Sequence, residues 1–453
     1  MKKFLFLLGG LLSSWAITAQ TLSEADAAIL FTGEDINGSA RYNALSGAFG
    51  ALGGDYSAID VNPAGLAVFK NSGFSASVGI RDTDISSSFY GNTIDNNDNY
   101  FDLNQIGGVF VFESGRSSDI KKFALGFNYS MSRDFQNNWF ASGVPIDSQG
   151  NVIAPLTEVE DPDVLYPNFE GTDFQNSTRG RSDKFVLALA SQPNDKLYIG
   201  AALNFYDIDF TQLTSYEEFN SDEDGNTLDI FAEDAYTILG NGVSFNVGLI
   251  TKPTQETRFG IAYQSPTWYE VSQEQIVFDT AVFENGNLDP QTGNGSDAFV
   301  FDYNLTTPSK ITGSFAYLFG REGLISIDYS YKDYKNIKLR PTNEFNVENQ
   351  FFSDNLQGSS EFRVGAEWRI DNVSLRGGYR FEENPFRDAI DTDHISGYSL
   401  GLGFKFKGNT RLDLAYQTSN NTDIYNFVNA SEAEAAALDI NNDRITATLV
   451  FGL

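Results

Sequence analysis

Arginines set to face one another are the most chemically pointed feature of this 453-residue sequence. In EFRVGAEWRIDNVSLRGGYRF, starting at Glu361, apolar and polar residues alternate on both sides of Asp371-Asn372. If that dipeptide is a two-residue hairpin turn, Ile370 faces Val373, Trp368 faces Leu375, Val364 faces Tyr379 and Phe362 faces Phe381, all on one apolar face. On the other face Glu367 opposes Arg376, a pair worth about 0.2–1 kcal/mol when exposed. There Arg363 also opposes Arg380, and two guanidiniums held together repel unless an anion lies between them. Arg363, Arg376 and Arg380 could thus hold a carboxylate head group through charge-assisted hydrogen bonds. The commoner fate of such arginines is neutralisation by nearby acids, and Glu367, Glu382, Asp55 and Asp60 are available.

The remaining reactive residues offer less. A single histidine, His394, and no cysteine leave no multi-histidine or thiolate metal site, no disulfide and no thiol nucleophile. His394 has no recognisable serine context either, so neither an enzyme nor a bound cofactor or metal is expected. The acidic runs 95–99 and 221–226 could bind calcium loosely, although solvated loops account for them better. A formal charge of -31, with no basic stretch to reverse it, would repel a phosphate backbone and argues against nucleic acid as a partner.

Elements that could position such residues are strands. A mean hydropathy of -0.27 excludes a bundle of membrane-spanning helices, each of which needs about 20 consecutive apolar residues. From Gly73 to Leu453 the pattern has period two: Ile445, Ala447, Leu449, Phe451 and Leu453 alternate with Arg444, Thr446, Thr448, Val450 and Gly452. Either a soluble sandwich or barrel with a dry centre, or a membrane barrel with apolar residues outside, produces such alternation. About 14 strands are placed, starting near residues 73, 104, 123, 184, 197, 237, 258, 298, 324, 361, 373, 396, 411 and 443. Short connectors (113–119, 192–195, 252–256, 320–323, 371–372, 408–410) alternate with long ones, among them 136–181, 217–235, 279–297, 341–360 and 421–442. Tight turns at one end and long acidic loops at the other favour an all-β fold, a 14-stranded antiparallel transmembrane β-barrel in a bacterial outer membrane.

Ahead of the strands the sequence divides again. Lys2 and Lys3, the apolar run from Phe4 to Leu12 and the small residues up to Ala19 read as a signal peptide over residues 1–19, cleaved after Ala19. Residues 20–72 lack the period-two pattern and carry too little apolar mass for a core of their own. A 14-stranded lumen needs water or a plug, so 20–72 is expected to lodge there, ahead of a barrel over 73–453. Pro63 would fix a bend, with Asn62 held out of the helical region.

The run GDYSAIDVNPAGLA, containing Asn62, Pro63 and Ala64, resembles the hatch signature of the FadL/TodX outer-membrane transporters of long-chain fatty acids and other hydrophobic compounds. TPSKITGSFAYLF around Pro308, the stretch from Glu361, and YSLGLGFKFKGNTRLDLAYQ from Tyr398 resemble the same family, whereas 136–181 and 217–297 do not. The resemblance implies that extracellular loops catch a hydrophobic ligand such as a fatty acid. The ligand then settles in the lumen above the hatch and leaves sideways into outer-membrane lipid where the third strand is kinked. Here that strand is FALGFNYSMSRDF from Phe123, whose outward positions would next aim Arg133 at lipid. A bulge near Ser132 would turn Arg133 away, unless it already lies beyond the hydrocarbon. Aromatics in the long loops (Tyr166, Phe169, Phe174, Phe351, Phe352) could form a docking groove or an interfacial girdle. A monomer is expected. A general diffusion porin, or a structural barrel or receptor for a ligand such as haem, stays open as an alternative.

Overall fold

The computed structural model describes residues 22–113, 122–146, 150, 168–283, 295–427 and 435–453. The expected signal segment and Tyr166 therefore lie outside the described residues. Among those described, eighteen strands form one antiparallel sheet. They are β1 (Gly73–Phe89), β2 (Asn92–Glu113), β3 (Lys122–Asp134) continued by β4 (Asn137–Gly143), β5 (Asn168–Asn194), β6 (Leu197–Ser221) and β7 (Thr227–Thr251). Next come β8 (Thr257–Gln264) continued by β9 (Trp268–Phe283), β10 (Gly295–Thr306) continued by β11 (Lys310–Phe319), and β12 (Gly323–Asp333) continued by β13 (Lys338–Arg340). The circuit ends with β14 (Gly358–Ile370), β15 (Val373–Glu382), β16 (Ile395–Lys405), β17 (Thr410–Tyr425) and β18 (Ala436–Gly452). With four strands continuing others, the wall has 14 staves, and each contains one of the expected strand starts. It is closed, because β1 pairs with both β2 and β18.

Two of the breaks fall at prolines, which cannot donate to a ladder. Pro266 separates β8 from β9, and Pro308 separates β10 from β11. The two gaps lie side by side and fasten to each other, Thr307 N–H donating to Thr267 O and Thr267 N–H to Thr307 Oγ1, each at 3.0 Å.

The hairpin register expected around Asp371-Asn372 holds at every pair: Ile370↔Val373, Trp368↔Leu375, Glu367↔Arg376, Val364↔Tyr379, Arg363↔Arg380 and Phe362↔Phe381. Asp371 takes the left-handed φ of 52° that such a turn requires. Side chains point as a membrane barrel demands. Ile445 and Leu400 are 56% and 57% exposed on the outside, while their neighbours Thr446 and Ser399 are buried within.

The long connectors were expected to be longer than they are. Residues 217–235 are nearly all strand, with a turn between β6 and β7; 136–181 contains β4 and the first half of β5; and 341–360 contains a helix, Asn346–Asn355. Above the membrane band the alternation also changes phase. On β6, Ile199, Leu203 and Phe205 face outward and are exposed, but farther up Ile208, Phe210 and Tyr216 face inward and are buried. Above the bilayer the wall has ordinary polarity, and its alternation slips by one residue. With 27 residues, β5 rises roughly 60 Å at a tilt near 45°, against an apolar band about 25 Å tall.

Candidate functional site in the lumen and its side wall

The N-terminal segment is built from short pieces. Helix α1 (Glu24–Thr32) starts at a capping box between Ser23 and Asp26. Helix α2 (Ala40–Ala44) is capped by Ser39, whose hydroxyl accepts from Tyr42 N–H. Two 3-10 turns, Ser57–Asp60 and Pro63–Val68, follow. Nearly every residue from Ile36 to Ala67 is buried.

Its partners are inward-facing groups on many staves. Ala40 N–H donates to Thr448 Oγ1 at 2.6 Å, Asn43 Nδ2 to Thr446 Oγ1 at 3.0 Å, and Gly50 N–H to Asp328 Oδ2 at 2.9 Å. In the other direction Arg258 Nη1 donates to Leu52 O at 2.6 Å. Asn62, extended at φ -146° as expected before Pro63, accepts from Ala64 N–H and donates to Gly50 O at 2.7 Å and to Leu249 O on β7 at 3.2 Å. The wall must lie very close to the Asn-Pro-Ala run. A Cβ on Gly248 would fall 2.0 Å from Asn62 Oδ1, and one on Gly200 2.5 Å from Ala64 N. Asn62, Pro63 and Ala64 therefore act here as packing and turn-forming residues against β6 and β7.

Charge fixes the segment at further points. Arg41 Nε donates to Glu367 Oε2 at 2.7 Å, and the same carboxylate receives Arg376 and Arg369. Glu34 receives Lys310, with Lys184 Nζ at 3.8 Å. Burial alone would raise the Glu34 pKa, but Lys310, Lys184 and Lys332 together hold it well below the usual carboxylate range.

These contacts divide the expected arginine trio. Arg376 is ion-paired with Glu367 and, at 2.8 Å, with Asp413, and Arg363 with Glu361. Neutralisation by acids, the commoner fate, is theirs. Arg380 differs: it lines a cavity of about 290 Å³ beside α1. Arg81, Arg133 and Arg444 share that lining, together with Leu22 and Leu30 of the N-terminal segment. Arg81 and Arg444 are directly opposed across the β1–β18 seam, a second facing pair that sequence reading missed although both lie on the strands it had placed. Arg81 is paired with Asp134 at 3.0 Å, whereas Arg444 Nη1 is buried with no hydrogen-bond partner among the described residues.

Beside this cavity the wall is broken. The β2–β3 ladder stops at Gln105↔Ser130, and from Asn92 to Leu103 β2 pairs with β1 alone. The expected bulge is present: on β3 the register against β5 shifts between Met131 and Arg133, skipping Ser132. Arg133 is thereby turned inward, its Nη1 only 1.4 Å from where a Cβ on Gly33 would be. Beyond the bulge the stave steps inside the barrel. Asn138 Nδ2 donates to Asp98 Oδ2 on β2 at 2.7 Å, and Arg81 Nη2 to Gln136 O at 3.0 Å. The polar groups freed by the bulge are met by the N-terminal segment: Asp35 N–H donates to Ser132 O at 2.8 Å and Asn37 Nδ2 to Met131 O at 3.0 Å. Outside the break, Arg181 Nη1 reaches Asp102 Oδ1 at 3.9 Å.

Other candidates have structural roles. His394 Nδ1 accepts from Asn384 N–H at 3.0 Å. Asp222 caps its own turn through Asp224 and Asn226. No group of three His, Cys, Asp or Glu among the described residues is placed to hold a metal ion. Phe174 and Phe352 are fully buried inside the barrel and do not form an external girdle.

A closed 14-stave sheet, apolar outside across one band and polar within, defines a membrane-spanning β-barrel. The chain belongs to the family described as outer membrane protein transport protein (OMPP1/FadL/TodX), whose profile matches residues 17–444. It is an outer-membrane transporter family for hydrophobic compounds. Solved structures share the fold at low identity. A Pseudomonas aeruginosa FadL homologue is 13% identical with a TM-score of 0.63, covering 93% of this chain and 99% of its own. The Pseudomonas putida toluene transporter TodX is 14% identical with a TM-score of 0.59, covering 92% and 99%. The Ralstonia pickettii toluene transporter TbuX is 16% identical with a TM-score of 0.55, covering 92% and 99%. No curated protein sequence matches the chain significantly.

Proposed function

We propose that this barrel carries amphipathic, fatty acid-like molecules into the outer membrane and releases them sideways, between β2 and β3, with residues 20–72 acting as the hatch that seals the lower lumen. The observation that carries the reading is the broken wall directly beside a cavity. Lateral exit also makes physical sense, because it returns an alkyl chain to hydrocarbon at about 0.8 kcal/mol per methylene, which a water-filled channel to the far side would not. The cavity is lined by Arg81, Arg133, Arg380 and Arg444 and also by Asp35, Asp134, Asp423 and Asp443. Among the described residues Arg133 and Arg380 make no ion pair and Arg444 Nη1 is buried without a hydrogen-bond partner, which supports an acidic head group over a neutral hydrocarbon. Arg363 and Arg376 are replaced in that role by Arg444 and Arg133. The solved relatives named as toluene transporters make neutral aromatics the competing cargo. Export by cleavage after Ala19 and action as a monomer complete the reading.

Deleting Ser132 tests the exit, since it restores register and lets β3 zip onto β2. Uptake of a labelled fatty acid should fall at least tenfold in a variant whose barrel still shows heat-dependent electrophoretic mobility. A folded deletion variant with unchanged uptake would refute lateral release.

A further inference from the structure

At one end of the cavity, rings from several staves between β17 and β5 pack together inside the barrel. Phe89 comes from β1, Trp139 from β4, Phe174 from β5, and Phe427 from the segment after β17; all are buried. Phe427 stacks on Phe174 with centroids 4.3 Å apart and planes at 7°, and meets Phe89 at 4.7 Å. Trp139 meets Phe174 at 5.3 Å and Tyr425 at 5.1 Å. Trp139 and Tyr425 also line the cavity, so the same cluster forms that end of it. The phenylalanines and Trp139 meet through ring contacts, and Tyr425 Oη accepts from Gln212 Nε2 at 3.1 Å.

Such a closure discriminates by chemistry. An apolar solute entering between Phe174 and Phe427 replaces one set of ring contacts with another, whereas a hydrated ion or sugar must shed water with nothing to compensate it. We infer that the Phe174–Phe427 stack is an outer gate that sets specificity, admitting to the cavity solutes that part the rings with an apolar portion such as an alkyl chain and excluding wholly hydrated ions and sugars. The inference rests on the lumen being the ligand's route, but its test does not depend on which ligand is carried.

The chain has no cysteine, so an introduced one reports alone. Thr83→Cys places a thiol in the cavity lining, and Val347→Cys, at a position 75% exposed, serves as the outside control. With a charged, water-soluble methanethiosulfonate reagent, Thr83→Cys should react at least a hundredfold more slowly than Val347→Cys. Adding Phe427→Ala should speed the cavity thiol tenfold or more and leave the control unchanged, while Phe427→Leu should keep it slow. Phe174→Ala, which removes the other half of the stack, should act as Phe427→Ala does and substitutes for it should that variant not fold. Rapid labelling of Thr83→Cys behind an intact stack, or a rate indifferent to both alanine changes, would overturn the gate. Loss of lateral release with the labelling pattern intact would instead count against the proposed route of exit.

Discussion

The band of wall that crosses the membrane and the wall above it are made from the same strands with opposite polarity. In the band, Leu203 and Phe205 point out and Asn204 is buried within; a few residues farther along β6, Phe210 is buried within and Asp209 faces out. The upper part folds as a water-soluble β-protein does, around an aromatic core of Phe31, Phe135 and Phe210 in edge contacts of 5.4–5.8 Å. The band keeps its order by polar pairing to an enclosed segment. One is held by grease inside and the other by lipid outside, so the same kind of substitution should have different effects at the two heights.

Removing the carboxylate that three arginines share should be the severest change. Glu367→Gln leaves Arg41 and Arg376 buried with reduced compensation, at a cost of about 3–5 kcal/mol, read as a lower unfolding midpoint in lipid or detergent. Phe210→Ala should approach that loss in the upper part, at about 3–5 kcal/mol. Leu203→Arg, in the band, should cost about 2–4 kcal/mol of membrane stability, while Thr211→Arg, on the same outer face above it, should cost less than about 1 kcal/mol. Equal effects at positions 203 and 211 would break the comparison. Acid gives a milder probe. Glu34 has its folded pKa lowered, so its stabilising contribution is complete above the ordinary glutamate range and disappears only as pH falls through the lowered value. Hydrogen exchange over residues 24–36 should stay slow at pH 5 and quicken in stronger acid, with Glu34→Gln already quickened at neutral pH. The smallest effect belongs to the half-exposed Arg181–Asp102 pair, where Arg181→Gln should shift stability by less than about 1 kcal/mol.

The stave count, the hairpin register and the bulge at Ser132 were legible because each depends on neighbours in sequence or on one adjacent strand. An arginine due to face lipid after Met131 was itself the sign of a kink. The upper wall was not legible where β6 meets β7, because EEFNSDEDGNTLDIFAEDA over 217–235 is dense in acidic residues and reads as a solvated loop. The cavity was missed for a different reason. Arg133, Arg380 and Arg444 come from three strands far apart in the chain, and only closure of the barrel places them together. Of the acids that neutralise Arg376 and Arg363, Glu367 was legible from the hairpin register and Glu361 lies two residues from Arg363 on the same strand, whereas Asp413, two staves away on β17, was not legible.

The seam between β1 and β18 has a consequence for assembly. Thr446 and Thr448, on the last strand to be made, are the groups that grip Asn43 and Ala40, which are among the first. A nascent chain must therefore keep its leading residues within the curling sheet until the final strand docks, and closing the circle and anchoring the N-terminal segment become one event. A chain truncated before Thr446 should lose both together.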